Sequence, residues 1–417
     1  MEKIIIEGGA RLDGIVRISG AKNAALPVIV ASILTDKENK INNVPSLKDV
    51  DTTCQLLKGI GVRVERSEDG QVIADASHIN DTEASYDLVR TMRASVLVLG
   101  PLLARLGKAK VSLPGGCAIG ARPINLHLKG LEMLGAKITL EHGYIVAEAK
   151  KLKGNRIYFD IATVTGTENV MMAAVLAEGK TIIENAAREP EVVNLASVLN
   201  SMGALIRGAG TDIIEIDGVT KLKGGEHTVI PDRIETGTFM VGAAITGGDV
   251  EMKDCIPEHI EPLTMKLREA GAYVDTGEGW IRVRGNGRTE SVDVKTAPYP
   301  GFPTDMQAQL MTLMTISEGT SVITETIFEN RFMHVAELRR MGADIKVEGN
   351  TAVINGVTKL SAAPLMATDL RASASLILAG LAAEGETVIS RVYHLDRGYE
   401  AIEKKLSALG AKVRRIK

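Results

Sequence analysis

The chain has 417 residues, of which 45% are hydrophobic and only 3% aromatic. This length exceeds what one core usually supports, so we expect two domains whose interiors consist mainly of aliphatic side chains and methionine. Lys and Arg number 49 and Asp and Glu number 52, which leaves a net charge of −3. This balance argues against a nucleic-acid partner, because such proteins carry an excess of clustered basic residues.

The apolar segments do not indicate a membrane protein. The longest of them contain glycine and proline, and they are shorter than the roughly 18 residues of a spanning helix. The first residues, MEKIIIEGG, contain a short apolar run without a small-residue cleavage site, so we expect no signal peptide. We therefore predict a cytoplasmic protein without a membrane partner.

The three cysteines, Cys54, Cys117 and Cys255, are far apart and odd in number. Their positions exclude a Cys-x-x-Cys metal site and argue against a disulfide framework. Cys54 lies in a helical apolar pattern and Cys255 follows a short strand, which is typical of small core residues. We expect neither a metal nor a cofactor.

One motif occurs six times along the chain. A helical pattern ends in Leu-x-x-x-Gly and is followed by a strand, as in LEMLGAKITL and LRRMGADIKV. The six glycines are Gly61, Gly135, Gly203, Gly271, Gly342 and Gly410. Their spacings of 74, 68, 68, 71 and 68 residues predict six structural repeats. Glycine tolerates the left-handed backbone that ends many helices, so each of these glycines is predicted to end one.

Each repeat begins with a helix that is apolar around most of its circumference. Segments such as NVMMAAVLAEG and RASASLILAGLAAEG lack the polar stripe of a surface helix, which indicates burial on all sides. The later helices of the repeats, such as YEAIEKKLSALG, are charged and are expected to face water. We predict an α/β (α+β) fold of six βαβαββ-type repeats, with buried helices surrounded by sheets.

The six repeats divide naturally into three and three, with a boundary in the polar, glycine-rich segment KLKGGEHTVIPDRIETG. The sixth repeat ends before its last strand, whereas residues 1–20 offer strand material without a preceding helix. We therefore predict one domain at residues 21–230. The second domain is predicted to combine residues 1–20 with residues 231–417 and to be completed by the amino-terminal strand.

Cationic residues lie near the amino-terminal ends of three of the buried helices. Lys22, Arg93 and Arg371 oppose the helix dipole at these positions. We interpret them as ligands of a bound anion rather than as members of ion pairs, because cations and helix ends together attract anions. Three other residues near helix starts are expected to be N-caps or to lie next to the cap, namely Thr167, Thr304 and Asp369.

The segment LPGGCAIGARP surrounds Cys117. Neighbouring glycines and Arg122 would expose the thiol and lower its pKa, which are the conditions for a nucleophile or a proton donor. From these residues alone, a reactive and a structural thiol remain equally open. The segment also contains Gly-x-x-x-x-Gly, but Ala121 and Arg122 replace the Lys-Ser/Thr pair of a P-loop, which argues against an ATPase.

With these residues assembled, the sequence closely resembles the bacterial enolpyruvyl transferases that act on UDP-N-acetylglucosamine. The resemblance covers the full chain and rests on SGAKNAALP, TMRAS, LPGGCAIGARPINLHL, ENAAREPE, PDRIETGTF, FPTDMQAQ, ETIFENRFMHV, DLRASA and LDRGYE. It implies a two-domain inside-out α/β barrel with three repeats per domain. It also implies transfer of the enolpyruvyl group of phosphoenolpyruvate to the 3'-hydroxyl of UDP-N-acetylglucosamine by addition and elimination, with release of phosphate. This reaction is the first committed step of peptidoglycan synthesis.

The resemblance also implies roles for individual residues. Cys117 matches a proton donor that can form an adduct with phosphoenolpyruvate and is alkylated by fosfomycin, and Asp305 matches the base at the sugar hydroxyl. With Lys22 and Arg397, these are the expected catalytic residues. The residues expected to bind phosphoenolpyruvate are Lys22, Asn23, Arg93, Cys117, Arg122, Arg371 and Arg397. The residues expected to bind UDP-N-acetylglucosamine are Asn23, Arg93, Arg122, Pro123, Ile124, Asn125, Leu126, Thr163, Val164, Thr165, Asp305 and Ile327.

Two other functions remain open. The related synthase that transfers enolpyruvyl to shikimate 3-phosphate shares the fold but lacks this cysteine segment, so Cys117 argues against it. A non-catalytic sugar-nucleotide binding protein would have lost catalytic residues, whereas Lys22, Cys117, Asp305 and Arg397 are all present. No surface stripe indicates an obligate protein partner, so we expect a monomer that binds the two small-molecule substrates.

Overall fold

A computed structural model describes residues 2–89, 92–113 and 124–416 of the chain. The described residues group into two compact units. Of the described residues, unit A contains 20–89, 92–113 and 124–230, and unit B contains 2–19 and 231–416. Across these residues, every helix is too short or too polar to cross a bilayer.

Six helices, three in each unit, form the interior and are buried along most of their length. They are α1 Lys22–Ala31, α4 Leu99–Leu106, α6 Val164–Ala174, α8 Arg233–Thr246, α10 Gln307–Met314 and α12 Leu370–Ala382. All eight residues of α10 are buried. In unit B, α8, α10 and α12 pack against one another. The absence of a polar stripe in these sequences is therefore explained by neighbours on every side.

The other helices have mixed surfaces. They are α2 Lys48–Gly59, α3 Tyr86–Val89, α5 Asn125–Met133, α7 Pro190–Ser201, α9 Glu261–Glu269, α11 Val335–Arg340 and α13 Ile402–Ala408. In α9, for example, Leu263 and Leu267 are buried while Lys266 and Arg268 lie in the last turn. Basic residues at this end also complement the helix dipole.

Unit A contains three four-stranded sheets. In spatial order, the strands of the first are β14 Gly225–Thr228, β3 Glu38–Asn42, β5 Val72–Asp75 and β4 Arg63–Arg66. Those of the second are β6 Glu83–Ala84, β7 Lys108–Ser112, β9 Tyr144–Glu148 and β8 Lys137–Glu141. Those of the third are β10 Arg156–Tyr158, β11 Lys180–Glu184, β13 Ile213–Asp217 and β12 Leu205–Arg207.

Unit B contains three further sheets with four strands each. The first has β2 Asp13–Arg17, β15 Asp249–Lys253, β17 Trp280–Arg284 and β16 Tyr273–Gly277. The second has β18 Val294–Lys295, β19 Thr320–Thr324, β21 Thr351–Asn355 and β20 Asp344–Glu348. The third has β22 Pro364–Met366, β23 Glu386–Ser390, β1 Lys3–Glu7 and β24 Lys412–Ile416.

The six sheets share one topology, in which a parallel pair is followed by two antiparallel pairings. In the last sheet of unit B, β1 lies between β23 and β24, so that Ile5 is opposite both Val388 and Arg414. The amino-terminal strand thus supplies a central strand to the carboxyl-terminal repeat. Many strands alternate buried and exposed residues, as expected when one face of a sheet covers the helices.

The predicted fold class is confirmed. The structure has six repeats with mixed sheets around buried helices, three in each unit. In the described residues, however, the sheets remain separate and do not close into one hydrogen-bonded barrel. All six predicted glycines follow helix ends with positive φ, between 90° at Gly271 and 102° at Gly203.

Candidate active site

Asp305 lies in a short 3-10 turn, Thr304–Met306, that leads into α10. Its Oδ1 accepts a hydrogen bond from Nη2 of Arg331 at 2.8 Å, and its Oδ2 accepts one from Nε of Arg371 at 3.1 Å. The arginine side chains are only 4% and 3% exposed, whereas the Asp305 side chain is 26% exposed. Two buried guanidinium groups therefore hold a carboxylate that remains accessible.

The start of α12 brings Arg371 to this carboxylate. Asp369 is the N-cap of the helix, and its Oδ1 accepts from the backbone N–H groups of Arg371 and Ala372 at 2.9 and 3.1 Å. The Arg371 guanidinium also lies 5.4 Å from the ring centre of Tyr399. Asp369 therefore acts as the predicted cap, while Arg371 is buried against protein groups.

Lys22 is the first residue of α1, and its Nζ lies 2.9 Å from Oδ2 of Asp49. The lysine side chain is 11% exposed and that of Asp49 is 5% exposed. The structure thus places Lys22 and Arg371 in ion pairs, contrary to our interpretation, while their binding of an anionic ligand stays a prediction. Each has a protein carboxylate, because α2 supplies Asp49 and the turn before α10 supplies Asp305.

His127 in α5 connects several predicted residues of unit A. Its Nε2 lies 3.3 Å from Oγ1 of Thr165, and its Nδ1 lies 3.0 Å from Nδ2 of Asn169. Burial, followed by the positive charge of Arg93, lowers the pKa of His127 to about 4. The imidazole is therefore neutral at physiological pH, and Arg93 and Thr165 lie close to the same ring.

The start of α6 differs in detail from the expected capping. Thr163 is the N-cap, and its hydroxyl accepts from the N–H of Gly166 at 3.3 Å. The expected cap, Thr167, lies inside the helix, where its hydroxyl accepts from the N–H of Ala187 at 3.1 Å. Thr304 likewise does not act as a side-chain cap, because its hydroxyl donates to Glu325.

Glu325, which is 2% exposed, joins two predicted parts of the site in unit B. Its Oε2 accepts from the hydroxyl of Thr304 at 2.8 Å, next to Asp305. Its Oε1 accepts from Thr296 Oγ1 at 2.9 Å and from the N–H of Ile327 at 2.8 Å. One buried carboxylate thereby positions both the Asp305 turn and the backbone at Ile327.

Arg397 ends a 3-10 helix at Val392–Arg397 and is half-buried. Burial, followed by the positive charge of Arg397, lowers the pKa of His394. The negative charge of Asp369 acts in the opposite direction. Arg397 therefore lies near His394 and on the same part of unit B as the start of α12.

An acidic group is buried at the start of α6. Glu168 is 1% exposed, and its Oε1 has no hydrogen-bond partner among the described residues. Burial and then the negative charges of Glu191 and Glu189 raise its pKa well above the ordinary value. Glu168 therefore favours its protonated form more strongly than an exposed glutamate does.

Cys54 and Cys255 are free thiols in the interior, 7% and 2% exposed. Burial raises the pKa of each to about 11. Their prediction as core residues is confirmed, because a thiol with so high a pKa is a poor nucleophile at neutral pH.

Of the remaining predicted residues, some lie within the described part of the chain and three lie outside it. Asn23 is exposed in the first turn of α1, Ile124 precedes α5, and Asn125 and Leu126 begin it. Val164 is the first residue of α6. Cys117, Arg122 and Pro123 lie outside the described residues.

Sequence reasoning missed several residues that hold this site. They are Asp49, His127, Asn169 and Glu325. Glu325 occurs in the segment ETIFENRFMHV, and His127 occurs in PINLHL. These segments supplied evidence of resemblance, but the residue types alone do not reveal which side chains meet. For Asp49 we find no sequence signal.

Known proteins resemble this chain over its whole length. A family model described as EPSP synthase (3-phosphoshikimate 1-carboxyvinyltransferase) matches residues 6–406. A UDP-N-acetylglucosamine 1-carboxyvinyltransferase from Geobacter metallireducens is 63% identical, with 100% of both chains covered. The enzyme of the same name from Thermodesulfovibrio yellowstonii is 61% identical, again with 100% of both chains covered.

Solved structures support the same assignment. The enolpyruvyl transferase NikO from Streptomyces tendae is 25% identical, with a TM-score of 0.89 and coverage of 99% of this chain and 98% of that chain. EPSP synthase from Acinetobacter baumannii has a TM-score of 0.78 at 19% identity, with 100% of both chains covered, and at this identity it supports the fold alone. Together with the full-length relatives, these matches show that the chain belongs to the enolpyruvyl transferase family, alongside the UDP-N-acetylglucosamine 1-carboxyvinyltransferases.

Proposed function

We propose that this chain transfers the enolpyruvyl group of phosphoenolpyruvate to the 3'-hydroxyl of UDP-N-acetylglucosamine and releases phosphate, as the committed step of peptidoglycan synthesis. The observation that carries this proposal is the 63% identity, over both full chains, to a relative named for this transfer. The structure adds a partly exposed carboxylate, Asp305, held by two arginines.

The reaction requires an acid and a base. Addition of the sugar hydroxyl to the central carbon of phosphoenolpyruvate moves one proton to the vinyl carbon and removes one from the hydroxyl. The resulting tetrahedral intermediate then loses phosphate from that carbon and a proton from the new methyl group, which regenerates the double bond. No redox partner is needed, because the reaction substitutes an alkoxy group for phosphate.

We assign the base to Asp305. Each carboxylate oxygen has two lone-pair positions, and the hydrogen bonds from Arg331 and Arg371 use one on each. Because 26% of the Asp305 side chain is exposed, a sugar hydroxyl can reach this carboxylate and transfer its proton to it as the C–O bond forms. The two arginines limit rotation of the carboxylate, so the base has a defined orientation before substrate binds.

Cationic residues would hold the phosphate and carboxylate groups of phosphoenolpyruvate. An ammonium group has three donors, so Lys22 can bind a phosphate oxygen while it keeps Asp49 as a partner. We assign Arg397 the same function, and Asn23 and Arg93 are proposed contacts at the starts of their helical segments. Arg371 is assigned a different part, because its guanidinium faces Asp305 in the interior of unit B.

The proton donor in this proposal is Cys117, and Arg122 and Pro123 complete the contacts of that segment. This assignment rests on the family resemblance and on the residues around the cysteine. A nearby arginine lowers the pKa of a thiol, and Arg122 follows Cys117 closely in the sequence.

The residues proposed to contact the sugar nucleotide include those numbered 124–126 and 163–165, together with Asp305 and Ile327. The N–H of Ile327 and the turn of Asp305 depend on the same buried carboxylate, Glu325. The first turn of α6 adds the Thr165 hydroxyl, which contacts His127.

Two further features are proposals of location and assembly. We place the protein in the cytoplasm, because Cys54 and Cys255 are free thiols and disulfides are rare in that compartment.

We expect it to act as a monomer. Light scattering coupled to gel filtration should give the mass of one chain, and a dimer mass would contradict this.

Phosphate release tests the function directly. Purified protein would be incubated with phosphoenolpyruvate and either UDP-N-acetylglucosamine or shikimate 3-phosphate, and inorganic phosphate would be measured. We expect release only with the sugar nucleotide, and a strong decrease in Cys117→Ala. Release with shikimate 3-phosphate would support the alternative synthase, and binding of the sugar nucleotide without release would indicate a non-catalytic binding protein.

A further inference from the structure

The hydrogen bonds around His127 determine the direction of a buried polar chain in unit A. His127 is 4% exposed and Asn169 is fully buried. Asn169 contacts two backbone groups and His127, and His127 contacts Thr165. Each contact constrains the hydrogen positions of the next, because buried donors and acceptors must be matched.

The backbone fixes the orientation of the Asn169 amide. The N–H of Gly100 can only donate, and it lies 2.7 Å from Oδ1 of Asn169. The carbonyl of Val96 can only accept, and it lies 3.0 Å from Nδ2. The amide nitrogen therefore faces His127, and its second hydrogen points to Nδ1 at 3.0 Å. Nδ1 must accept this hydrogen bond and cannot carry a proton of its own.

This requirement selects one tautomer of His127. A neutral imidazole carries a single N–H, so the proton lies on Nε2 and is donated to Oγ1 of Thr165 at 3.3 Å. The lowered pKa of the buried ring, about 4, prevents a second proton from reversing this arrangement at neutral pH.

We propose that His127 and Asn169 are positioning residues that make the Thr165 hydroxyl a hydrogen-bond donor to an oxygen of the bound sugar nucleotide. The hydroxyl accepts from His127, so its own hydrogen is directed elsewhere. Among the described residues, His127 is its hydrogen-bond partner, and Thr165 is half-buried in the first turn of α6. The ligand atom there must be an acceptor, such as a phosphate or carbonyl oxygen. The identity of the ligand in this inference rests on the proposed function, whereas the tautomer of His127 does not depend on it.

The tautomer can be tested without any substrate. Long-range proton–nitrogen correlation spectra of protein labelled with 15N-histidine distinguish protonated from unprotonated ring nitrogens, and His127→Gln assigns the signal. We expect a neutral ring with the proton on Nε2 from about pH 6 to about pH 8, a range in which an unperturbed histidine titrates. A proton on Nδ1, or titration within this range, would overturn the proposal.

The proposed role of the Thr165 hydroxyl as a hydrogen-bond donor is tested by equilibrium binding of UDP-N-acetylglucosamine to Thr165→Val and Thr165→Ser. We expect the valine variant to bind about tenfold more weakly, as for loss of one hydrogen bond to a charged or strongly polar acceptor, and the serine variant to restore most of this affinity. The phosphoenolpyruvate KM should change little. The matched control is Thr181→Val, because Thr181 is fully buried in β11 and its hydroxyl has no partner among the described residues.

The outcomes separate this inference from the proposed function. If the unchanged protein binds no sugar nucleotide, the proposed function fails while the tautomer result still stands. If the unchanged protein binds the sugar nucleotide and Thr165→Val binds it with the same affinity, the Thr165 hydroxyl is not a hydrogen-bond donor to this ligand. Uridine diphosphate and uridine as ligands locate the acceptor, since a loss with the diphosphate alone indicates a phosphate oxygen and a loss with both indicates the nucleoside.

Discussion

Nε of Arg371 donates a hydrogen bond to Oδ2 of Asp305 at 3.1 Å, although the arginine side chain is only 3% exposed and the aspartate is 26% exposed. The proposed base is thus attached to the interior of unit B through a buried cation. Catalysis and stability are therefore expected to depend on the same carboxylate.

Asp305→Asn should lower both activity and stability. Loss of the base is expected to decrease kcat by about 10² to 10⁴-fold. The substitution also removes the negative charge that faces Arg331 and Arg371. Breaking a buried ion pair costs ~3 kcal/mol or more, and the partial exposure of Asp305 reduces this cost. Steady-state kinetics and urea unfolding measure the two effects.

The control for this variant is Asp254→Asn, because Asp254 pairs with Arg17 at 2.6 Å with side chains 55% and 75% exposed. Such surface pairs contribute about 0–1 kcal/mol, so kcat and stability should remain close to those of the unchanged chain. Retention of full kcat in Asp305→Asn would reject Asp305 as the base.

Asp49→Ala should weaken binding of phosphoenolpyruvate. Asp49 holds Nζ of Lys22 at 2.9 Å, and without this carboxylate the long lysine side chain must lose more rotamer entropy when it binds phosphate. We expect the phosphoenolpyruvate KM to rise by roughly tenfold, with a smaller change for the sugar nucleotide. Asp36→Ala is the control, since its pair with Lys37 is exposed. An unchanged KM would show that Asp49 does not position Lys22.

Glu325→Gln should affect the sugar nucleotide more than phosphoenolpyruvate. The carboxylate accepts from Thr304 beside Asp305 and from the N–H of Ile327. A glutamine offers only one oxygen to these donors, so one of the two segments loses its partner. We expect kcat/KM for UDP-N-acetylglucosamine to fall by about tenfold to a hundredfold, as for loss of one or two hydrogen bonds.

The matched variant is Glu318→Gln, which changes an exposed carboxylate in the same unit. Its kinetics should equal those of the unchanged chain. Equal losses for both substrates of Glu325→Gln, together with a large drop in melting temperature, would instead indicate a general role in folding.

His334→Gln should reduce the acid sensitivity of unfolding. Burial is the main cause that lowers the pKa of His334 to about 4, below the unfolded value of about 6.5. As the pH is lowered from about 6.5, the unfolded chain binds a proton that the native state excludes. The free energy of unfolding therefore decreases until the pH reaches about 4. The variant should show a smaller decrease over this range in urea titrations. His78→Gln, an exposed site, should retain the original pH dependence, and identical profiles for all three proteins would refute the prediction.

Glu168→Gln should stabilise the chain at neutral and higher pH. Burial raises the pKa of Glu168 well above its ordinary value, so the native state prefers the protonated form. The contribution of Glu168 to stability is then greatest at low pH and is lost as the pH rises from the unfolded pKa of about 4.3 toward the native pKa. Glutamine removes this loss because it cannot ionise. Thermal unfolding at about pH 5 and about pH 8 should show a larger gain for the variant at the higher pH, because more of the loss has occurred there. Equal gains at both pH values would contradict this prediction.

The sequence predicted those features that depend on local patterns. The spacing of Leu-x-x-x-Gly revealed six repeats because a helix end needs a residue that tolerates positive φ, and the φ of all six glycines agrees. The all-round apolar segments revealed the inner helices, since only a helix with neighbours on every side can lack a polar stripe. Matching segments identified the family and suggested Lys22 and Asp305 as site residues.

Tertiary structure alone decided which side chains meet. The partner of Lys22 is Asp49, 27 positions along the chain, and the partner of Arg371 is Asp305, 66 positions away. The charge pattern at the helix starts does not show which residues form these pairs. The direction of the hydrogen bonds through Asn169 and His127 likewise depends on the backbone N–H of Gly100 and the backbone carbonyl of Val96. Every residue type has such a carbonyl and almost every type such an N–H, so the sequence does not mark these two. Ion pairs and tautomers are set by distances of about 3 Å between atoms, and such distances are properties of packing rather than of local sequence.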